Sequence, residues 1–259
     1  MLNSIICGDC LDVMKNIPDN YIDLTVTSPP YDNLRTYNGF VFDFEGTAQE
    51  LYRVTKPGGV VVWVVNDKVT NGSESGTSFR QALGFVQIGF NLHDTMIWYK
   101  TNPMPIKSNR YQPSFEYMFV LSKGKPNTFN PIKVPASYAG EKKLKKHRTF
   151  RQADGTVKEA TGTSEIVRDS RIKHNVWNFT AGYMHSSKDK IAYNHPAIFP
   201  EKLAEDHILS WSNPGDTVLD PMCGSGTTCK MAVKTDRQYI GIDISEEYCN
   251  IARKRTSDN

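Results

Sequence analysis

Thr217-Val218-Leu219-Asp220-Pro221-Met222-Cys223-Gly224-Ser225-Gly226-Thr227 is a short apolar run, a glycine-rich turn and the opening of a helix. The first three residues read as a buried strand. Gly224 and Gly226 let the backbone approach a ligand closely, and a helix opening near Thr227 would turn its free N–H groups toward that ligand. Tyr239-Ile240-Gly241-Ile242-Asp243 reads as the next strand. It ends, about twenty residues on, in a carboxylate able to accept hydrogen bonds from both ribose hydroxyls. Strand, glycine turn, helix and acid together describe a nucleotide-type cofactor site. The competing readings are a plain strand-to-helix turn and a phosphate-binding loop. No Lys-Ser or Lys-Thr follows the glycines, which excludes the second.

Outward from that stretch the chain alternates strands and helices. Ile5-Ile6-Cys7 reads as a short strand, followed by Gly8-Asp9 and an amphipathic helix from Leu11 to Ile17. Ile22 to Thr27 is a strand, Asp43 to Val54 a helix, and Lys56-Pro57-Gly58-Gly59 its stop. Val60-Val61-Val62-Trp63-Val64-Val65 is apolar on both faces, as a central parallel strand requires. Ser78 to Phe90 is helical in pattern, and Thr95–Lys100 and Phe115–Leu121 read as strands. Glu201 to Trp211, Thr227 to Val233 and Glu246 to Lys254 complete the helices. This alternation is that of a doubly wound sheet. Between about Lys123 and His195 the periodicity fails, and Gly, Ser, Thr, Lys and Pro dominate.

Composition narrows the classes further. The 259 residues suffice for one large α/β domain with an insertion or for two small domains, and the net charge is only +3. That small value conceals an asymmetry. Residues 1–60 carry eight acidic and four basic side chains, a balance of −4, whereas residues 100–175 carry sixteen basic and six acidic, a balance of +10. A polyanion partner for the middle of the chain is the simplest cause, beside the plainer one of a solvated basic surface. Lys142, Lys143, Lys145, Lys146, Arg148 and Arg151 are the candidate phosphate contacts. The five cysteines include one CxxC, Cys7-Gly8-Asp9-Cys10, but no second CxxC or His pair completes a zinc site, so no metal is expected. The thiols read as reduced and the protein as intracellular, with no apolar run long enough to span a membrane.

Ser28-Pro29-Pro30-Tyr31 follows directly on a strand. A base's exocyclic amine is a poor nucleophile because its lone pair is delocalised into the ring. Two acceptors aimed at its N–H groups favour a pyramidal nitrogen, and the Ser28 hydroxyl and the Pro29 carbonyl can supply them, since proline adds an acceptor without a donor. The Tyr31 ring can stack on a base that has left the duplex. The same four residues also suit a rigid strand-end turn.

Taken together, the motifs resemble the β-class DNA amino-methyltransferases. In that family a (S/D/N)PP(Y/F) motif precedes a target-recognition region, which precedes the cofactor glycine loop; Ser28 to Tyr31 and Asp220 to Thr227 stand in that order. The resemblance spans roughly residues 3–122 and 193–254. Where the family usually carries Phe, this chain has Met222-Cys223.

The resemblance implies S-adenosylmethionine as cofactor, bound through Asp9, His195, Pro196, Asp220, Pro221, Cys223, Gly224, Ser225, Gly226, Thr227 and Asp243. Within that set, Gly8-Asp9 corresponds to the family's acidic strand end near the adenine, and His195-Pro196 to the segment lining the methionine end. Cys223 reads as a packing residue, since cytosine C5 chemistry needs a Pro-Cys dipeptide, absent here.

The expected fold is therefore α/β, a Rossmann-like seven-stranded methyltransferase sheet in circularly permuted order. Residues 1–122 and 193–259 form the catalytic domain and 123–192 an inserted, loop-rich target-recognition region. In a sheet so permuted the last strand–helix unit neighbours the first, because the chain is cut and rejoined at a surface loop. The expected activity is methyl transfer to the exocyclic amine of a base flipped from double-stranded DNA. Ser28, Pro29, Pro30 and Tyr31 would be catalytic. Ser at the first motif position favours cytosine N4 over adenine N6, because the family's N4 members mostly carry Ser there. An RNA guanine methyltransferase would place its glycine loop first, and a catalytically silent DNA-binding protein would not need Ser28, Tyr31 and Asp243 together. A companion restriction endonuclease, a homodimer and a cytoplasmic location in a bacterium or phage-infected cell are compatible with this reading.

Overall fold

Val60 to Val65 are all buried because helices pack on both sides of the strand that carries them. Side chains alternate along a strand. Val61, Trp63 and Val65 join one core cluster with Leu51 and Phe85, while Val60, Val62 and Val64 turn the other way. Within that cluster the Trp63 and Phe85 rings meet edge to face at 5.0 Å. The indole N–H of Trp63 donates to Gln81 Oε1 at 2.9 Å, so the one polar atom of this large side chain is satisfied.

The computed structural model describes residues 1–30, 42–107, 109–141, 147–161, 166 and 168–257. Its sheet has eight strands: β1 (Ser4–Cys7), β2 (Ile22–Thr27), β3 (Thr55–Val65), β4 (Asn91–Lys100), β5 (Phe115–Ser122), β6 (Val176–Phe179), β7 (Thr217–Asp220) and β8 (Gln238–Asp243). They lie in the spatial order β1-β8-β7-β2-β3-β5-β4-β6, and only β5 runs against the others. The helices are α1 (Cys10–Met14), α2 (Phe44–Val54), α3 (Thr77–Ile88), α4 (Glu201–Trp211), α5 (Thr227–Lys234) and α6 (Glu246–Ser257). α2 starts where the Asp43 carboxylate accepts from the Gly46 N–H at 3.0 Å.

The permutation is visible in the pairing. β1, near the start of the chain, lies parallel to β8, near its end, with Ser4 opposite Ile240 and Cys7 opposite Asp243. The order of winding reverses between β7 and β2, whose register sets Val218 against Leu24 and Leu219 against Thr25. From β7 the chain proceeds to β8 on one side; from β2 it proceeds to β3 on the other. In open α/β sheets a ligand crevice forms beyond the strand ends at such a reversal.

Two local expectations need correction. Lys56-Pro57-Gly58-Gly59 does stop α2, but the strand already begins at Thr55 and takes these residues in as an irregular start. Gly58, with φ of +81°, makes the bend, and its N–H donates to the Lys123 carbonyl at 2.6 Å. The sheet also gains an eighth strand, β6, inside the stretch read as lacking regular structure. Its four residues are too short for a periodicity signal. Trp177 anchors it, nearly buried against the His207 ring of α4 at 4.6 Å.

Residues 131–174 form a compact unit of their own, distinct from 1–130 and 175–259. This unit contains two antiparallel ribbons, Lys133–Pro135 with Ser170–Ile172 and His147–Arg151 with Val157–Thr161. The second is closed by Asp154-Gly155, where the Asp154 carboxylate accepts from the Thr156 N–H at 2.9 Å and Gly155 takes φ of +83°. Among the described residues no helix is long and apolar enough to cross a membrane.

Candidate functional site

The two motif-bearing segments leave adjacent strands, β2 and β7, at the reversal point. Thr27 Oγ1 donates to Asp220 Oδ1 at 2.7 Å, and the Met222 N–H donates to the same oxygen at 3.2 Å. Asp220 is almost fully buried, and burial pushes its carboxyl up to about 7 in spite of these donors. The bonds therefore fasten the start of the glycine loop to the end of the neighbouring strand.

The loop itself is held from three directions. The Gly224 N–H donates to Asp243 Oδ2 at 2.8 Å and the Ser245 N–H to Asp243 Oδ1 at 2.9 Å, so the acid ending β8 organises the loop as well as facing outward. Burial raises the Asp243 carboxyl above the usual range against these two donors. Gly224 and Gly226 take φ of +49° and +77°. A Cβ on Gly224 would sit 2.8 Å from His195 Nε2, and one on Gly226 would sit 2.7 Å from the Ala252 Cβ on α6. The glycines are thus required by close packing against the protein itself, in addition to ligand access. His195 Nδ1 lies 2.7 Å from the Ala197 carbonyl oxygen, and the ring meets Tyr248 edge to face at 4.4 Å. Cys223 is buried, and its thiol is pushed well up by its contact with Cys229 and by burial, so it packs and does not react.

Two cavities flank this loop. The smaller, about 130 Å³, has apolar walls from Leu11, Pro30, Phe42, Pro221, Met222 and Ile244, with the carboxylates of Asp9, Asp43 and Asp243 on its lining. Asp9 caps α1, its Oδ1 accepting from the Leu11 N–H at 2.8 Å. An apolar slot edged by carboxylates has the acceptors for a purine nucleoside, with its rings on the walls and its ribose hydroxyls donating to the acids. The larger cavity, about 560 Å³, is lined by Ser28 and Pro29, by His195 and Pro196, and by Cys223 to Ser225 and Thr227. Trp98, Lys100 and Glu116 line it as well. Met222 is common to both.

A family model described as DNA methylase, for N6 and N4 amino-methyltransferases, matches residues 22–254. The chain belongs to that family. The orphan methyltransferase M.BamHII of Bacillus amyloliquefaciens is 57% identical over 243 residues, covering 93% of this chain and 91% of that protein. The type II methyltransferase M.HpaI of Haemophilus parainfluenzae is 30% identical over 264 residues, covering 97% and 73%. Among solved structures, the PvuII DNA methyltransferase (cytosine-N4-specific) superposes with a TM-score of 0.70 at 21% identity, covering 99% of this chain and 86% of that one. The M1.HpyAVI–SAM complex does so with 0.64 at 22%, covering 98% of each. At these identities the structural likeness concerns the fold. This methylase is an S-adenosylmethionine-dependent enzyme that methylates an amine of a DNA base.

Of the residues singled out in the sequence, the methylase brings Ser28, Pro29, His195, Pro196, Cys223, Gly224, Ser225 and Thr227 onto one cavity, and Asp9, Pro30, Pro221 and Asp243 onto the other. Asp220 and Gly226 are buried behind them. Tyr31, Lys142, Lys143, Lys145 and Lys146 lie outside the described residues. Arg148 and Arg151 belong to the strand His147–Arg151, with Arg151 exposed at its end.

Sequence reasoning missed two groups in the methylase. Arg255, on α6 and 2% exposed, donates to the Ser225 carbonyl at 2.6 Å, to Thr227 Oγ1 at 3.2 Å, to Glu201 Oε1 at 2.6 Å and to Asp189 Oδ2 at 3.1 Å. Lys230 completes the network through Asp189 at 2.6 Å and Glu201 at 3.1 Å. One guanidinium thereby ties the glycine loop to the start of α4 and to the segment before it. The second group is Trp98, Lys100 and Glu116 on β4 and β5. Lys100 Nζ is 2.5 Å from Glu116 Oε1 and 5.1 Å from the Trp98 ring centroid. The only sequence signal for Arg255 was an arginine on a C-terminal helix, which ordinarily faces solvent.

Proposed function

We propose that this methylase acts on cytosine N4 in double-stranded DNA, drawing the base out of the duplex into the larger cavity. The observation that carries the reading is that Ser28 and Pro29 line the same cavity as the glycine loop, with room for a base between them. Ser28 Oγ and the Pro29 carbonyl oxygen would accept hydrogen bonds from the two amine N–H groups. That pulls the nitrogen toward a pyramidal geometry and frees its lone pair for attack. S-adenosylmethionine, when bound, supplies an electrophilic methyl group on its sulfonium. Asp9 and Asp243 would hold its ribose and Leu11, Pro30 and Met222 its purine, with His195, Pro196 and Ser225 at the methionine end. Ser28 Oγ also offers the departing amine proton a path to solvent. Tyr31, by its chemistry, is assigned stacking on the base, and the basic run from Lys142 to Arg151 the phosphate contacts.

Cytosine is favoured over adenine by Ser28 itself, and by Lys100 at the cavity wall. An ammonium there can donate to the O2 or N3 acceptors of cytosine, and adenine has no acceptor matching O2. The name orphan methyltransferase on the 57% identical relative supports action without a dedicated endonuclease. The test is to methylate mixed-sequence DNA with purified protein, digest it to nucleosides and weigh the modified one. N4-methyldeoxycytidine is the expected product; N6-methyldeoxyadenosine would replace the base assignment and leave the amine chemistry standing.

A further inference from the structure

The loop from Thr101 to Ser114, joining β4 to β5, is not used by the chemistry above. It rises from the rim of the larger cavity, since Lys100 and Glu116, at its two ends, both line that cavity. Its base is pinned. The Lys100 N–H donates to the Ser114 carbonyl at 2.7 Å, and Asn102 exchanges two hydrogen bonds with Ala181, at 2.7 and 2.9 Å. Ala181 lines the cavity too. Gln112 Nε2 crosses the loop to the Pro103 carbonyl at 2.8 Å, and Arg110 is tied to the short antiparallel ribbon Val69–Thr70 with Ser73–Glu74, donating to the Gly72 carbonyl at 2.7 Å and pairing with Glu74 at 3.3 Å.

On this braced frame sit large apolar side chains left in water. Tyr111 is 99% exposed and Met104 81%, with Ile106 also exposed. Three prolines, Pro103, Pro105 and Pro113, limit the ways in which the loop can fold these side chains back. The loop contains Lys107 and Arg110 and no acidic residue. Bare apolar side chains scattered over a surface are ordinary. Here Met104, Ile106 and Tyr111 share one loop that carries Lys107 and Arg110 and no acid and whose ends, Lys100 and Glu116, line a cavity with the volume for a base. Side chains of this kind unstack neighbouring base pairs when a basic surface carries them to DNA.

We propose that the Thr101–Ser114 loop is the wedge that enters the duplex beside the target nucleotide, with Met104 and Tyr111 occupying the space the base vacates and Lys107 on a flanking phosphate. The proposal rests on the reading of the larger cavity as the site of a base taken from duplex DNA. Extruding a base from a matched pair costs unpairing and unstacking, and a mispaired base costs least. A side chain filling the gap offsets part of that cost, so its removal is felt most where the pair is sound.

The experiment uses the full-length protein, wild type and M104A/Y111A, with duplexes carrying the site identified by mapping methylated DNA from an expressing strain. In one duplex the target base is correctly paired; in the other it faces a mismatch. Both side chains are exposed, so unchanged melting and unchanged S-adenosylmethionine affinity are expected of the variant. Its single-turnover methylation rate should fall by about tenfold or more on the matched duplex and stay within about twofold of wild type on the mismatched one. Equal loss on both duplexes would make the loop a general DNA contact and overturn the wedge. No loss on either would overturn it in favour of a contact with another protein. Wild-type protein inert on both duplexes would instead sink the base-flipping reading, and the wedge with it, before any variant is compared.

Discussion

The two cavities beside the glycine loop are built on opposite plans. The smaller is a slot of about 130 Å³ whose carboxylates are already engaged by backbone N–H groups, so its shape is set before any ligand arrives. The larger, at about 560 Å³, is walled by residues just after β2, from β4 and β5, from the segment before α4, and from the glycine loop. The difference follows from what each would receive: the smaller the purine and ribose of the cofactor, the larger the base together with the cofactor's methionine end. A nucleoside that is always the same is best met by a narrow, preorganised slot. A base arriving from a duplex needs room to enter, and polar groups that read it after entry. The glycine loop, with Met222 in both linings, is the wall between them.

If that division holds, damage on one side should leave the other intact, and the substitutions below rank the ways to test it. Arg255→Met strikes the shared wall and should have the largest effect. Removing the guanidinium leaves Asp189, Glu201 and the Ser225 carbonyl without their buried donor, a loss of ~3–5 kcal/mol in stability. Thermal melting measures it, and a melting point equal to wild type would show that Lys230 alone carries the network. Ser28→Ala strikes only the larger cavity. It should slow methyl transfer by about a hundredfold, as losing one preorganised polar partner of a reacting group does, with S-adenosylmethionine affinity unchanged. Weakened cofactor binding in this variant would erase the boundary between the cavities.

Asp243→Ala strikes the smaller cavity and the loop bond at Gly224 together. Calorimetry should find S-adenosylmethionine binding weakened by ~1.5–3 kcal/mol, the range for charge-assisted hydrogen bonds. Unchanged affinity would hand the ribose to Asp9. The last substitution, Asp220→Asn, keeps an acceptor for Thr27 and Met222 and should show its effect only in how stability varies with pH. Burial lifts the folded carboxyl to about 7, above its unfolded value, so the native state holds the proton more tightly between about pH 4 and 7. This group's contribution to stability is therefore full at low pH and declines as pH rises through that window. Asn removes the decline: with the two matched near pH 5, the variant should be the more stable near pH 8. Parallel stability curves from denaturant melts across that range would mean Asp220 ionises normally in the fold.

Much of this molecule was written in local pattern. The apolar run at Val60–Val65, the glycine turn after Leu219 and the acid ending β8 are short-range signals, because a central strand, a turn needing positive φ and a strand-end carboxylate each restrict residue type on their own account. Their order along the chain, with Ser28 before Gly224, implied the permuted sheet through the resemblance to the β-class amino-methyltransferases. Tertiary structure decided what depends on residues far apart in sequence. β6 is a strand because Trp177 finds His207 on α4 and because β4 offers an open edge. Gly226 is a glycine because Ala252 of α6 presses against it, and Arg255 is buried because three separate segments present it with acceptors. Lys100 and Glu116 reach the larger cavity only because β4 and β5 lie beyond β3 in the same sheet. A contact between distant segments leaves no periodic trace in either one, so a guanidinium on the last helix looked like surface until the fold closed around it.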